Sequence, residues 1–131
     1  MVGLYEVLFT ALSGDNDLQT LLGGSSSDRK IYPITHDGAT EPPAVRFAIL
    51  SGNSDIGHPV DRPVIDLELV STTGVTQLNL IQARVDAIVN RKRLSNANII
   101  VHLCYKVFEA DEYDPEAREY RRIVRYNLIT S

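Results

Sequence analysis

"RPVIDLELVSTTGVTQLNLIQARVDAIV", residues 62–89, places two different periodicities back to back. In the first half Ile65, Leu67 and Leu69 alternate with Asp66 and Glu68, the period of two that gives a strand one apolar face. In the second half Leu78, Ile81, Val85, Ile88 and Val89 recur three and four apart, which lays an apolar stripe along a helix. Thr72 or Thr73 stands where the helix needs an N-cap. The pattern predicts a helix over 74–92, with Arg91, Lys92 and Arg93 at the end where a helix favours cations. A half-apolar strand running into an amphipathic helix calls for a sheet with that helix packed on it.

Upstream, "AVRFAIL" repeats the strand pattern, with Val45, Phe47 and Ile49 opposite Arg46. The polar stretch "SGNSDIGHPVDR" lies between these strands and is too long for a tight hairpin. It reads as a projecting, mobile β-loop whose Asn53, Asp55, His58, Asp61 and Arg62 are candidate assembly contacts. "RKIYP" is a short strand ended by Pro33, followed by the proline-bounded loop "PITHDGATEPP" with a turn at Asp37-Gly38. Leu4, Val7, Leu8, Ala11 and Leu12 share one face of a first helix that stops at Ser13-Gly14. Asp15 or Asn16 caps a second short turn carrying Leu18, Leu21 and Leu22, closed by Gly23-Gly24. "GGSSSD" then follows a helix and lacks a Gly-Lys-Ser/Thr ending, so it reads as a connector and not a phosphate cradle.

Downstream, "NIIVHLCYKVF" is apolar on both faces from Ile99 to Leu103, the signature of a central strand. "EYRRIVRYNLI" is the last strand and pairs back across a turn at Asp114-Pro115. The expected fold is a single domain over 1–131 of the α+β class. It has a mixed, mainly antiparallel sheet of four to five strands, two main helices packed on it and the projecting β-loop. Any parallel crossover through the helix should be right-handed.

The net charge of −4 argues against a general phosphate-backbone binder, and Cys104, the only cysteine, excludes an intrachain disulfide or a multi-cysteine zinc site. "MVGLYEVLFTALSGD" lacks a basic leader and a cleavage site. No segment approaches the roughly 18 apolar residues of a membrane span, so a soluble chain made inside the cell is expected. The three histidines, His36, His58 and His102, are scattered. His102 and Cys104 could share a strand face, but side chains two apart project in parallel, and no acid orients them. Asp66 and Glu68 likewise read as the wet side of a strand before they read as an acid–base or metal pair. The expectation is a protein without enzymatic activity and without a cofactor.

"DEYDPEAREYRRIVRYNLI", residues 111–129, crowds five carboxylates and four arginines into one hairpin. Tyr120, Arg122, Val124, Tyr126 and Leu128 share one strand face; Arg121, Ile123, Arg125 and Asn127 share the other. Both faces mix arginine with apolar groups, and Tyr and Arg are favoured in protein interfaces. Tyr120, Arg121, Arg122, Arg125 and Tyr126 are therefore candidate subunit contacts. Asp111, Glu112, Asp114 and Glu116 are their candidate acids across a boundary, and arginine ladders paired on an exposed sheet are the competing reading.

Three stretches carry a family resemblance: the opening helix running into "ALSGDNDLQTLLGG" with "KIYP" before a proline-rich loop, the strand-then-helix centre, and the acidic Tyr-Asp-Pro turn before a Tyr/Arg strand. Together they resemble the tail terminators, or tail-completion proteins, of long-tailed bacteriophages. The resemblance implies a hexameric ring that caps the tail tube, meets a head-side connector or stopper protein, and lets DNA pass through its lumen. It implies a place in the virion tail or neck after synthesis in the host cytoplasm, with no membrane contact. Another neck component, such as a head-completion or stopper protein, fits the same residues. From other classes, a nucleic-acid-binding domain using Arg118, Arg121, Arg122 and Arg125 stays open, as does a metal enzyme using Asp66 and Glu68.

Overall fold

The computed structural model describes residues 3–26, 28–33, 42–54 and 61–131. Two helices come first, α1 (Leu4–Ser13) and α2 (Asn16–Leu22), followed by strands β1 (Ile31–Pro33), β2 (Ala44–Ser54) and β3 (Asp61–Ser71). Helix α3 (Val75–Val89) leads to β4 (Leu94–Ser95), β5 (Ile100–Asp114) and β6 (Glu119–Thr130). The strands form one six-stranded sheet in the order β1-β2-β3-β6-β5-β4. Only β1 and β2 pair in parallel; every other neighbouring pair is antiparallel. The α+β class and mixed sheet match expectation, but the described residues form six strands and three helices. The added strand, β4, is two residues long and carries no periodic signal.

All three helices press their apolar stripes onto one face of the sheet. Leu4, Val7, Leu8 and Leu12 of α1, Leu18 and Leu22 of α2, and Leu78, Ile81, Val85 and Val89 of α3 are buried in one cluster. The sheet side is supplied by Val45, Phe47, Ile65, Leu67, Leu69, Val124 and Leu128. The register explains this set. Val45 faces Leu69, Phe47 faces Leu67, and Leu67 faces Val124, so the apolar phase of each strand lands on the same side. Gly23 closes α2 at φ 69°, a left-handed cap that glycine adopts without a Cβ clash.

Several boundaries differ from the sequence expectation. The N-cap of α3 is Gly74, at φ 135°, and neither threonine side chain caps the helix. Ser71 Oγ accepts the Thr73 N–H at 3.1 Å instead, bending the chain from β3 into the helix. The helix stops at Val89, so Arg91, Lys92 and Arg93 lie beyond its end. Arg91, at φ 60°, turns the chain and donates its N–H to the Cys104 carbonyl at 2.5 Å.

The expected loop from Gly52 to Arg62 is in part strand. Gly52 pairs with Pro63, Asn53 with Arg62 and Ser54 with Asp61, beyond a bulge between Ile49 and Ser51. Backbone pairing needs no apolar side chains, so the ladder continues through residues that look like loop. Asp55, His58 and His36 lie outside the described residues.

The reading of β5 as a central strand is also corrected. The central position belongs to β6, between β3 and β5, and β5 is covered on its outer side only by β4, which pairs with Ile100 and Val101. Bulges at Val101/Leu103 and Lys106/Phe108 shift the phase of β5, so an apolar run that looked buried on both faces leaves Leu103 and Tyr105 exposed.

Candidate assembly surface

The crowded charges at 111–129 are distributed over two faces and a tip. On the helix side, Tyr120, Arg122, Val124, Tyr126 and Leu128 form the inward face of β6; Tyr126 is fully buried and Arg122 is 8% exposed. A buried guanidinium must be paired on every side. Arg122 donates to both oxygens of Asp111, at 2.6 and 2.9 Å, to Asn79 Oδ1 at 2.8 Å and to Gln82 Oε1 at 2.6 Å. The hydrogen bond from Arg122 holds the Asp111 carboxyl below the usual carboxylate range, against the opposing effect of burial. Tyr126 donates to Asp86 Oδ1 at 2.5 Å, and burial, then Asp86, pushes its phenol well above the ordinary range.

These contacts expose a feature the sequence reading missed. Asn79, Gln82, Asp86 and Asn90 recur three and four apart and form a polar stripe beside the apolar one on α3. Gln82 also donates to Glu109, Lys106 reaches Asp86 at 3.2 Å, and Asn90 Oδ1 accepts the Lys106 N–H at 3.0 Å. The β5–β6 hairpin is thus fastened to α3 by a polar seam. The stripe was readable as a periodicity; its partners were not.

The opposite face of the sheet carries ion pairs, of which Arg125–Asp66, Arg46–Glu68 and Arg121–Glu112 join directly opposed residues. Arg125 makes a two-pronged contact with Asp66, at 2.8 and 3.1 Å, and lies 5.9 Å from the centre of the Phe108 ring. Arg46 approaches Glu68 at 3.5 Å. Arg121 is shared among Glu119 at 3.0 Å, Asp114 at 3.1 Å and Glu112 at 3.9 Å. Of the acids expected to reach across a subunit boundary, Asp111, Glu112 and Asp114 therefore meet arginines of their own chain, and Glu116 does not. Among the four arginines weighed for phosphate contact, three are neutralised in this way, which leaves Arg118. Asp66 is held by Arg125, and among the described residues no group of three or more His, Cys, Asp or Glu is placed to hold a metal.

At the tip, Asp114 Oδ1 accepts the N–H groups of Glu116 and Ala117, at 3.0 and 3.2 Å, and Arg118 turns the chain back at φ 54°. Tyr113 and Tyr120 pack with ring centres 4.8 Å apart. Glu116 projects at the exposed end of the turn.

What remains open to a partner is the edge. Among the described residues, five of the nine large exposed apolar side chains lie on β5: Leu103, Tyr105, Val107, Phe108 and Tyr113. Past Val101 no described strand pairs with the outer side of β5, although Arg91 and Asn90 cap single backbone groups at Cys104 and Lys106. An edge strand with apolar side chains is a place where another chain adds. Cys104 is fully buried, its thiol pushed up to about 12 by burial and then by Asp86. His102 lies at a bulge, exposed, within 2.6 Å of Ser131 Oγ, so the two do not form a reactive pair.

The molecule so defined is a helix-backed, mainly antiparallel sheet with an open edge strand. It shares its fold with a chain in a solved structure described as the virion of a native gene transfer agent particle, at a TM-score of 0.78 and 12% identity. The correspondence covers 97% of this chain and 93% of that one. No protein-family model and no curated protein matches the sequence. Among the described residues, no helix is long and apolar enough to cross a membrane.

Proposed function

We propose that this chain is a structural component of a phage-like virion, acting without catalysis as a tail terminator. In this reading, copies close into a ring, expected to be a hexamer, at the head-proximal end of the tail tube. The ring joins the tube to the head-side connector, and DNA passes through its lumen. The observation that carries the reading is the end-to-end fold correspondence with a virion chain, nearly complete on both sides. The sequence resemblance to tail terminators narrows the role. The exposed apolar edge of β5 gives the chain a surface suited to assembly. A head-completion or stopper protein would share the ring logic but would bind the head side without the tube. The test is incubation of the purified chain with isolated tail tubes, followed by electron microscopy. Rings seated at one tube end, with six-fold averages, are expected; tubes that stay bare at every protein concentration would remove the terminator role.

A further inference from the structure

The two ends of β5 differ in charge. At its start, Arg91, Lys92 and Arg93 are exposed and, among the described residues, have no ion-pair partner. Arg91 also borders an open, mainly apolar depression of about 540 Å³ walled by Leu103, Tyr105 and Ile129. At the far end, Glu112, Asp114 and Glu119 share Arg121, and Glu116 has no ion-pair partner among the described residues; with Arg118 in the same turn, four carboxylates face two guanidinium groups, so the tip stays acidic. Tyr113, about half exposed, packs on Tyr120 at the same end of the strand, on the face opposite Glu112 and Asp114. One end offers an apolar floor with a basic rim, and the other an aromatic group with an acidic rim.

We propose that these ends meet. The β5–β6 tip of one copy, led by Tyr113 and Glu116, seats in the depression beside Arg91 on a second copy. This inference deepens the ring reading above and rests on it for the premise of self-assembly. The two patches are different and lie at opposite ends of a 15-residue strand, so the contact is head-to-tail. Such contacts propagate until the rotation closes them into a ring. Like charges at either end also disfavour tip-to-tip and base-to-base pairing, which selects this one polarity.

Charge reversal tests the contact by sedimentation velocity at low and high salt. Glu112→Arg with Glu116→Arg, or Arg91→Glu with Arg93→Glu, should each weaken self-association on the order of a hundredfold. The chain carrying all four changes should recover it. Thermal melts establish that each variant is folded. A covalent readout runs beside this one: Leu103→Cys near the start of β5 with Ala117→Cys in the turn beyond its end puts the thiols roughly 35 Å apart, too far for a bridge within one chain. Oxidation should give a ladder of multimers, while Cys104 stays protected by burial. If the wild type assembles and the reversals change nothing, this contact is wrong and the ring reading survives. A wild type that stays monomeric at the highest attainable concentration overturns the contact, and the ring is then judged by tube capping alone.

Discussion

Helix α3 has two sides that hold the molecule by different physics. Toward β3 and the other helices it presents Leu78, Ile81, Val85 and Val89, buried to 1% exposure or less. Toward β5 and β6 it presents Asn79, Gln82, Asp86 and Asn90, each matched to a particular donor or acceptor. The first side is tolerant, because apolar area is non-directional and volume-conserving exchanges cost little. The second is exacting, since a polar group inside a protein costs little when paired and much when its partner is removed. The difference teaches how the hairpin is held: Val124 and Leu128 join the apolar core, while the directional bonds to α3 fix which residues of the hairpin stand against the helix.

The largest effect should come from placing a charge on the apolar side. Ile81→Asp buries a carboxylate with no partner and should destabilise the chain by about 4 kcal/mol or more in urea unfolding. A midpoint equal to wild type would mean that α3 does not pack as described. Next comes the loss of a partner on the polar side. Arg122→Ala removes a buried guanidinium and leaves the buried Gln82 without that partner, while the exposed Asp111 and Asn79 turn to water, and should cost about 2 kcal/mol. Arg125→Ala, on the open face, should cost clearly less, because its side chain is 42% exposed and its guanidinium keeps much of its contact with water. Equal losses from the two arginines would erase the distinction between the faces.

The smallest effect is a pH dependence. Asp111 has its pKa depressed in the folded chain by Arg122. Its contribution is therefore complete above the unfolded carboxylate value of about 4 and is lost as pH falls through the folded value. Asp111→Asn should be less stable than wild type at pH 7, and the gap should narrow below about pH 4. A gap that stayed constant into acid would show that the carboxylate charge is not what Arg122 requires.

The apolar side was legible in the sequence, and the polar side only in outline. Clean alternation at 65–69 and the helical stripe from Leu78 to Val89 each mark a buried face locally, without reference to a partner. The arginines do not. Arg122 looks like a surface residue until the ladder sets it directly opposite Asp111, just as it sets Arg125 opposite Asp66. Cross-strand register is a property of the assembled sheet, and no spacing within one strand encodes it. The phase of β5 was hidden for a related reason: each bulge inserts one residue, so a pattern counted in twos fails twice between Val101 and Phe108.

The position of β6 has a consequence for how the chain reaches its fold. This strand follows every other strand in the sequence, yet it lies between β3 and β5 near the middle of the sheet. Until it is in place, β1 to β3 form one open fragment and β4 with β5 another, each with a bare ladder waiting for the same segment. The decisive closure therefore joins residues far apart in sequence, such as Asp66 with Arg125, and it comes late. Contacts of that range slow folding, because loop-closure entropy is lost before they form. During synthesis the two fragments hold complementary unpaired edges that neighbouring nascent chains could bridge, so folding must outrun encounters between chains.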